Sequence, residues 1–242
     1  MSDLDLFEPL LICATVEELH TTTASIAGQL GFDHFIYGVQ VNTSLTRPYQ
    51  FILNGYPKEW RARYVEHNYQ EVDPTYNHCI TRRRTIPVIW DSRVFTGDKA
   101  AKMRNESKEF GLQCGASFAV HGGHGEAAML SLASSQDTCR AEQDIVSIIG
   151  KSQLLACYLH EATQRIVLSK GSLLLTKMEL TLREKECLLW AAEGKTGGEI
   201  ADILKITERT VTFHLQNAGN KMGASNRQHA IARAISMGLI AP

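Results

Sequence analysis

The sequence has no C-x-x-C pair. Its six cysteines, Cys13, Cys79, Cys114, Cys139, Cys157 and Cys187, stand far apart, which implies neither a zinc site nor a disulfide framework and leaves all six to be read as small buried hydrophobes. No metal or cofactor is expected. No run of apolar residues approaches the roughly eighteen that a membrane span needs. The opening segment MSDLDLFEPL is acidic where a signal peptide would be basic, so a cytoplasmic protein away from membranes is expected. Charge of one sign is also missing: 25 Lys and Arg against 26 Asp and Glu exclude a uniformly basic nucleic-acid coat. What remains is an ordinary globular composition, 44% hydrophobic and 21% charged over 242 residues, enough for one large domain or two smaller ones.

The chain divides most naturally near SKGSLLLTK, a glycine- and serine-bearing stretch from Ser169 to Lys177. The expected organisation is a first domain over 1–168, a linker over 169–176 and a second domain over 177–242. In the first, Phe32 to Val41 and Ala116 to Ser135 are rich in apolar and small residues, and HGGHGE breaks the second run as a hairpin turn would. Helical patterns surround them: Pro57 suits a first helical position before KEWRARYVEHN, KAAKMRNESKEF ends at Gly111, and Ala141 to Arg165 carries Ile145, Ile148, Ile149 and Leu155. The predicted class is α+β, an α-β-α sandwich around a central antiparallel sheet. The last helix either covers the sheet or pairs with a second subunit.

The second domain reads as compact and all-helical. Thr181-Leu-Arg-Glu184 and Thr196-Gly-Gly-Glu199 both have capping-box spacing, and Thr207 is a third cap candidate. In ERTVTFHLQNAGNKM, helical periodicity turns Val211, Leu215, Ala218 and Met222 inward and Arg209, Thr212, Phe213, Gln216 and Asn220 outward. An outward phenylalanine among polar neighbours fits a major groove, where its ring meets a thymine methyl, Gln216 bonds adenine and Thr212 bonds base edges. Lys195, Lys205 and Lys221 would meet phosphates. Residue by residue, a core phenylalanine and a solvated fringe of lysines explain the same pattern.

The order of motifs separates these readings. From LTLREKECLLWAAEGKTGGEIA to the end, the tail resembles the four-helix DNA-binding helix-turn-helix of the LuxR family, with Glu184, Leu188 and Gly194 at characteristic positions. That resemblance assigns DNA contact to Lys195, Thr196, Arg209, Thr210, Thr212, Phe213, Gln216 and Lys221. Upstream, Tyr56, Trp60, Tyr64, Asp73 and Tyr76 crowd one short region, with Trp90 a little later. Tyr56, Trp60 and Tyr64 recur every four residues and can share a face. Asp73 precedes a proline, which places it at a helix start. An ionised aspartate only accepts hydrogen bonds, so buried it needs a permanent donor or a ligand N–H. A ligand with an amide N–H, two carbonyls and an apolar body would satisfy the set, whereas each aromatic alone reads as core filler and Asp73 alone as a helix cap.

YPKEWRARY, VDPT ending at Thr75, HC at Cys79, Trp90, HGGHGE and the LSL around Ser131 together resemble the LuxR-type acyl-homoserine lactone receptors, most nearly the LasR-like ones. The resemblance implies that Trp60 donates to the lactone carbonyl and that Asp73, helped by Thr75, accepts the amide N–H. Tyr56 and Ser131 would donate to the acyl amide oxygen, with Tyr64 and Trp90 packing the ring and Gly115 near the pocket. Arg61 would hold a 3-oxo group through water. Ile36, Gly38, Ile52, Tyr76, Cys79, Ala127 and Met129 would line the acyl tunnel, in which Gln40 and Gln50 are unusually polar and Tyr76 unusually bulky. It further implies a pocket closed over its ligand, a homodimer on palindromic promoter DNA, and contact with RNA polymerase. Two rivals remain: a regulator sensing a non-lactone ligand, and an amide or lactone hydrolase using Asp73 with His67 or His78. The second lacks a G-x-S-x-G elbow, a metal cluster and an activated nucleophile.

Overall fold

A computed structural model describes residues 4–42, 48–123, 125–136, 139–168 and 179–240, without the side chains of 139–147. The expected linker, 169–176, lies outside the described residues. The elements in chain order are α1 (Glu8–Ile12), α2 (Val16–Gln29), β1 (His34–Val41), β2 (Tyr49–Gly55), α3 (Lys58–Glu66), a 3-10 turn (Tyr69–Glu71) and α4 (Pro74–Tyr76), which runs into a π turn (Asn77–Thr81). There follow β3 (Val88–Ile89), α5 (Asp98–Glu109), β4 (Cys114–His121), β5 (Ala127–Ser134), α6 (Cys139–Thr163) with a π turn (Gln164–Leu168), α7 (Leu182–Ala192), α8 (Gly197–Leu204), α9 (Glu208–Met222) and α10 (Arg227–Ser236). The chain forms two compact units, one built mainly before Leu168 and one mainly after it.

The first unit is organised by a five-stranded antiparallel sheet in the order β2-β1-β5-β4-β3. Because side chains alternate along a strand, β1 assigns its residues to two different jobs. Phe35, Tyr37, Val39 and Val41 are buried, and the Tyr37 hydroxyl meets His160 Nδ1 of α6 at 2.8 Å, so this face is covered by α6. Ile36, Gly38 and Gln40 point the other way. The buried stripe Leu155, Ala156, Leu159 and Ala162 settles that α6 covers the sheet. Cys157 lies off that stripe and is exposed, so the expectation that every cysteine is buried fails there; Cys13, Cys79, Cys114 and Cys187 are buried.

Several local expectations are off by a step. Pro57 occupies the cap position (φ −51°, ψ 134°) and Lys58 begins α3. β2 and β3, which are short or half-exposed, carry no alternation strong enough to be read from sequence. His121, the first residue of the expected HGGHGE turn, instead ends β4 with both ring nitrogens buried; burial and the nearby Arg83 hold its pKa below the ordinary histidine value.

The second unit is four helices with short turns. Thr181 and Thr196 both form complete capping boxes, with Glu184 and Glu199 returning to the cap amides, and Thr207 caps α9. Val211, Ala218 and Met222 are buried, Leu188 and Ala230 pack beside the last two, and Leu215 packs against both small cores. Buried Glu184 does more than cap: its Oε2 also accepts from Lys221 Nζ at 2.8 Å, and Nζ further donates to the Glu179 carbonyl at 3.1 Å. Burial pushes the Glu184 pKa up, but the Lys221 ammonium and the Thr181 amide outweigh it, so the carboxyl titrates below its ordinary 4.5.

A carboxyl with a depressed folded pKa stabilises the fold above its unfolded pKa, and that stability disappears as pH falls through the folded value. Lys221→Met leaves a buried carboxylate without its cation. Hydrogen exchange of the α7 and α9 amides should show their opening free energy reduced by about 2 kcal/mol at neutral pH, with acid opening starting at higher pH than in wild type. Equal protection in both proteins across the acid range would contradict this account of the pair.

Candidate functional site

On the sheet face opposite α6, the structure encloses a cavity of about 300 Å³. The sheet supplies its floor through Ile36, Gly38 and Gln40 of β1 and Met129 and Ser131 of β5. Register pairs Ile36 with Ser131, Gly38 with Met129 and Gln40 with Ala127, so the floor has a direction. Tyr56, Trp60, Arg61 and Tyr64 come from the start and inner face of α3, Asp73, Thr75 and Tyr76 from α4, and Trp90 from the end of β3. All eight residues expected to meet a ligand therefore line one cavity. Of the expected tunnel, Ile36, Gly38, Ile52, Tyr76 and Met129 line it as well. Cys79 and Ala127 do not; they pack with Ala119 and with Ile80, which does line it, against Tyr76 and Met129.

Asp73 is the N-cap of α4, and its carboxylate is already well supplied. Oδ1 accepts from the Thr75 amide at 2.8 Å, the Thr75 hydroxyl at 2.7 Å and the Tyr76 amide at 3.3 Å, while Oδ2 accepts the Tyr64 hydroxyl at 2.9 Å. The cap and the pocket roles thus coincide in one side chain: permanent donors crowd Oδ1, and Oδ2 keeps room for one more. The Tyr64 proton is spent on this bond, and burial and then Asp73 raise the Tyr64 pKa well above its ordinary value.

Two donors are not spent. The Tyr56 hydroxyl is buried, faces Ser131 and makes no hydrogen bond; burial and then the Asp73 charge raise its pKa, so it stays protonated. Trp60 is 3% exposed and packs against Tyr64, Tyr69 and Phe110 at ring separations of 5.8–6.0 Å, with no protein acceptor for its indole N–H among the described residues. The Trp90 indole is different. Its N–H donates to Ser117 Oγ at 2.9 Å, and Ser117 meets Ser131 at 2.8 Å. Indole only donates, so Ser117 accepts from it; when Ser117 donates onward to Ser131, the Ser131 proton is free to point into the cavity.

Several contributors escaped the sequence reading, Val39, Phe51, Ile80 and Phe95 on the wall among them. Ser117 is another; its place two residues beyond Gly115 on the cavity side of β4 was the available signal. A further one is Arg104 of α5, 7% exposed, which donates to Ser107 Oγ and the Leu112 and Gln113 carbonyls and lies 5.4 Å from the Trp90 and Phe95 ring centroids. Its signal was a lone cation on the buried side of an amphipathic helix. So does the set Met103, Ser107 and Leu112 belong here, which the same helix and its exit bring to the wall. Arg61 also lines the cavity, half-buried over the Tyr64 ring at 5.3 Å, and burial lowers its pKa. The cavity is not closed on every side, as was expected: Ile52 and Val65, both on its wall, are 46% and 63% exposed.

The hydrolase constellation does not form. His78 is bound to the Ile86 carbonyl at 2.8 Å, and His67 caps α3; neither lines the cavity or bonds Asp73. Burial, then Asp73, pushes the Cys79 thiol up to about 12, which removes it as a nucleophile.

In the second unit, α9 presents Arg209, Thr212, Phe213, Gln216 and Asn220 to solvent, with Phe213 57% exposed. The outward orientation of these five residues was therefore read correctly. Thr196 and Thr210 are engaged in caps, Thr196 with Glu199 and Thr210 with the Thr207 hydroxyl at 2.8 Å. Lys205 is exposed, and Lys195 half-exposed. Lys221 departs from expectation: its ammonium is held by Glu184 and the Glu179 carbonyl, so it braces α9 on α7 instead of standing free for a phosphate.

Comparison with known proteins agrees with both halves. Residues 15–163 match the autoinducer binding domain, and residues 178–234 match the bacterial regulatory proteins of the luxR family. The transcriptional activator protein AnoR of Acinetobacter nosocomialis is 35% identical over 98% of each chain. The HTH-type quorum-sensing regulator RhlR of Pseudomonas aeruginosa is 35% identical over 88% of this chain and 85% of its own. The crystal structure of Escherichia coli SdiA superposes with a TM-score of 0.76 at 26% identity, covering 99% of this chain and 98% of that one. An SdiA complex with octanoyl-rac-glycerol gives the same TM-score at 27% identity, covering 99% and 96%. The chain belongs to the LuxR family of autoinducer-binding, quorum-sensing transcriptional activators. It is a DNA-binding regulator, not an enzyme.

Gly115 shows how tightly the polar end is built. A Cβ there would sit 2.4 Å from the Leu132 carbonyl oxygen and 2.8 Å from the Trp90 ring. Gly115→Ala should displace Trp90, break the Trp90–Ser117–Ser131 relay and destabilise the first unit by about 1–3 kcal/mol. Chemical unfolding with indole emission as the readout checks this; a variant within about 0.5 kcal/mol of wild type would show that the close approach is unimportant.

Proposed function

We propose that this regulator answers to an N-acyl homoserine lactone held in the cavity of residues 1–168, and that 177–242 reads promoter DNA. One observation carries the reading: the Tyr56 hydroxyl and the Trp60 N–H remain unspent beside an Asp73 oxygen with room for a donor, within one largely apolar cavity. The lactone carbonyl accepts from Trp60, the amide N–H donates to Asp73 Oδ2 beside Thr75, and the amide oxygen accepts from Tyr56 and Ser131. Tyr64 and Trp90 wall the ring. Arg61, on the same wall, holds a 3-oxo oxygen through water, which makes a 3-oxo-acyl chain the preferred signal. Filling the cavity buries apolar surface and satisfies the orphaned donors, so the ligand stabilises the folded state by mass action.

Two such chains then form a homodimer in the cytoplasm, placing two α9 helices in successive major-groove faces of a palindromic site. Phe213, Gln216 and Thr212 meet base edges there. Arg209, Lys195, Lys205 and the capped N-terminal turns at Thr196 and Thr210 meet the backbone, and the bound dimer contacts RNA polymerase to activate transcription. A second reading, a non-lactone amphiphile such as an acylated glycerol, is favoured by the octanoyl-rac-glycerol found in SdiA.

The test is to express the full chain with a panel of lactones and identify by mass spectrometry what copurifies. Intact, stoichiometric lactone supports the receptor; an acylglycerol in its place, or no ligand, contradicts it. Trp60→Phe removes one donor and should weaken lactone binding by about 1 kcal/mol, roughly fivefold; an unchanged titration would remove Trp60 from the site. Gln216→Ala should relax discrimination at one operator base pair by about 1–3 kcal/mol while lactone affinity stays as in wild type. Competition binding on single-base operator variants measures it, and uniform weakening across all of them would contradict base readout.

A further inference from the structure

The end of the cavity far from Ser131 is not apolar. Gln50 Nε2 donates to Gln40 Oε1 at 3.2 Å and approaches the Tyr76 hydroxyl at 3.4 Å, while that hydroxyl donates to Gln40 Oε1 at 3.1 Å. These three side chains come from β1, β2 and α4, and all three line the cavity. The β1–β5 register places them: Ile36 lies opposite Ser131, and Gln40 is four residues further on, about 13 Å along the strand. At the triad the wall opens to solvent: Gln50 is itself exposed, and Ile52, two residues along β2, is 46% exposed. At about 300 Å³ the cavity is also at the small end of ligand pockets.

We infer that the Gln40–Gln50–Tyr76 triad is the specificity-determining stop of the cavity, admitting acyl chains that end before it and discriminating against longer ones. This rests on the lactone reading above. Methylenes laid between Ser131 and Gln40 meet Ile36, Gly38 and Met129 and so gain apolar burial against the sheet. Methylenes beyond Gln40 must part three mutually bonded polar side chains, of which Gln50 is exposed and Gln40 and Tyr76 half-buried, or run out past Ile52 into solvent, so they add little burial and break those bonds. A sequence in which the same positions were aliphatic would impose no such limit.

The experiment is equilibrium dialysis of the full chain against butanoyl, hexanoyl, octanoyl and dodecanoyl homoserine lactones. For wild type, affinity should rise about fourfold per methylene through the shorter chains, and dodecanoyl should bind no more tightly than octanoyl. The variant Gln40→Val/Gln50→Val/Tyr76→Phe makes the end apolar and should raise the dodecanoyl-to-octanoyl affinity ratio by about tenfold or more. Tyr76→Phe alone, which keeps the ring, should move the ratio in the same direction, and octanoyl binding by each variant shows that its cavity is intact. An affinity that keeps climbing through dodecanoyl in wild type, or a ratio unmoved in both variants while octanoyl still binds, overturns the stop and leaves the receptor standing. Failure of every lactone to bind wild type overturns the receptor reading and the stop together.

Discussion

The first unit is governed by a hydrogen-bonding imbalance around the cavity. Asp73 is surrounded by donors, yet the Tyr56 hydroxyl is buried with nothing to donate to, and the Trp60 indole, on the cavity wall, has no protein acceptor among the described residues. Leaving a buried donor unpaired costs about 1–3 kcal/mol, a large share of the stability of a marginal domain. A fold that keeps such groups in its core is incomplete by construction. A molecule supplying a carbonyl oxygen to each and an apolar body to the remaining wall would complete it, which turns ligand binding into the last step of core formation.

The same imbalance explains why the polar end is so crowded and the far end so different. Gly115 lets the Trp90 ring lie against the strand, Trp90 orients Ser117, Ser117 orients Ser131, and Arg104 ties the loop after α5 while stacking on Trp90. Trp90, Ser117 and Ser131 are thus each held by a neighbour, as a site that discriminates by hydrogen bonding requires, while the Tyr56 hydroxyl is left without a partner. At the opposite end the polar groups bond one another, which is the basis of the stop inferred above. One strand, β1, carries both ends, and its alternate residues anchor the α6 face that makes the sheet rigid.

Much of this was legible because local chemistry and global pattern agree. The three threonine caps, the inward stripe of α9 and the exposed Phe213 follow from spacing alone. The eight pocket residues were legible through resemblance, and the position of Asp73 before Pro74 gave their local geometry a physical reason. What escaped depends on partners distant in sequence. Ser117 matters only because β4 pairs with β5, Arg104 only because the chain doubles back at Leu112, and Cys157 is exposed only because of the rotation of α6. Lys221 looked like a free phosphate contact because Glu184, thirty-seven residues earlier, was already assigned to a cap. Cys79 and Ala127 were placed in the tunnel by motif order, but the π turn after α4 brings Cys79 against Ala127 at the start of β5, where the two pack with Ala119 and Ile80 and do not reach the cavity.

The most direct test of the claim that the core awaits its ligand uses Tyr56→Phe, which deletes the orphaned hydroxyl and little else. Thermal unfolding of the full chain should show the unliganded variant as stable as wild type or more so, with a smaller stabilisation by octanoyl-homoserine lactone. A variant destabilised without ligand, yet stabilised by the lactone as much as wild type, would mean that the Tyr56 hydroxyl serves the protein alone and that the account is wrong.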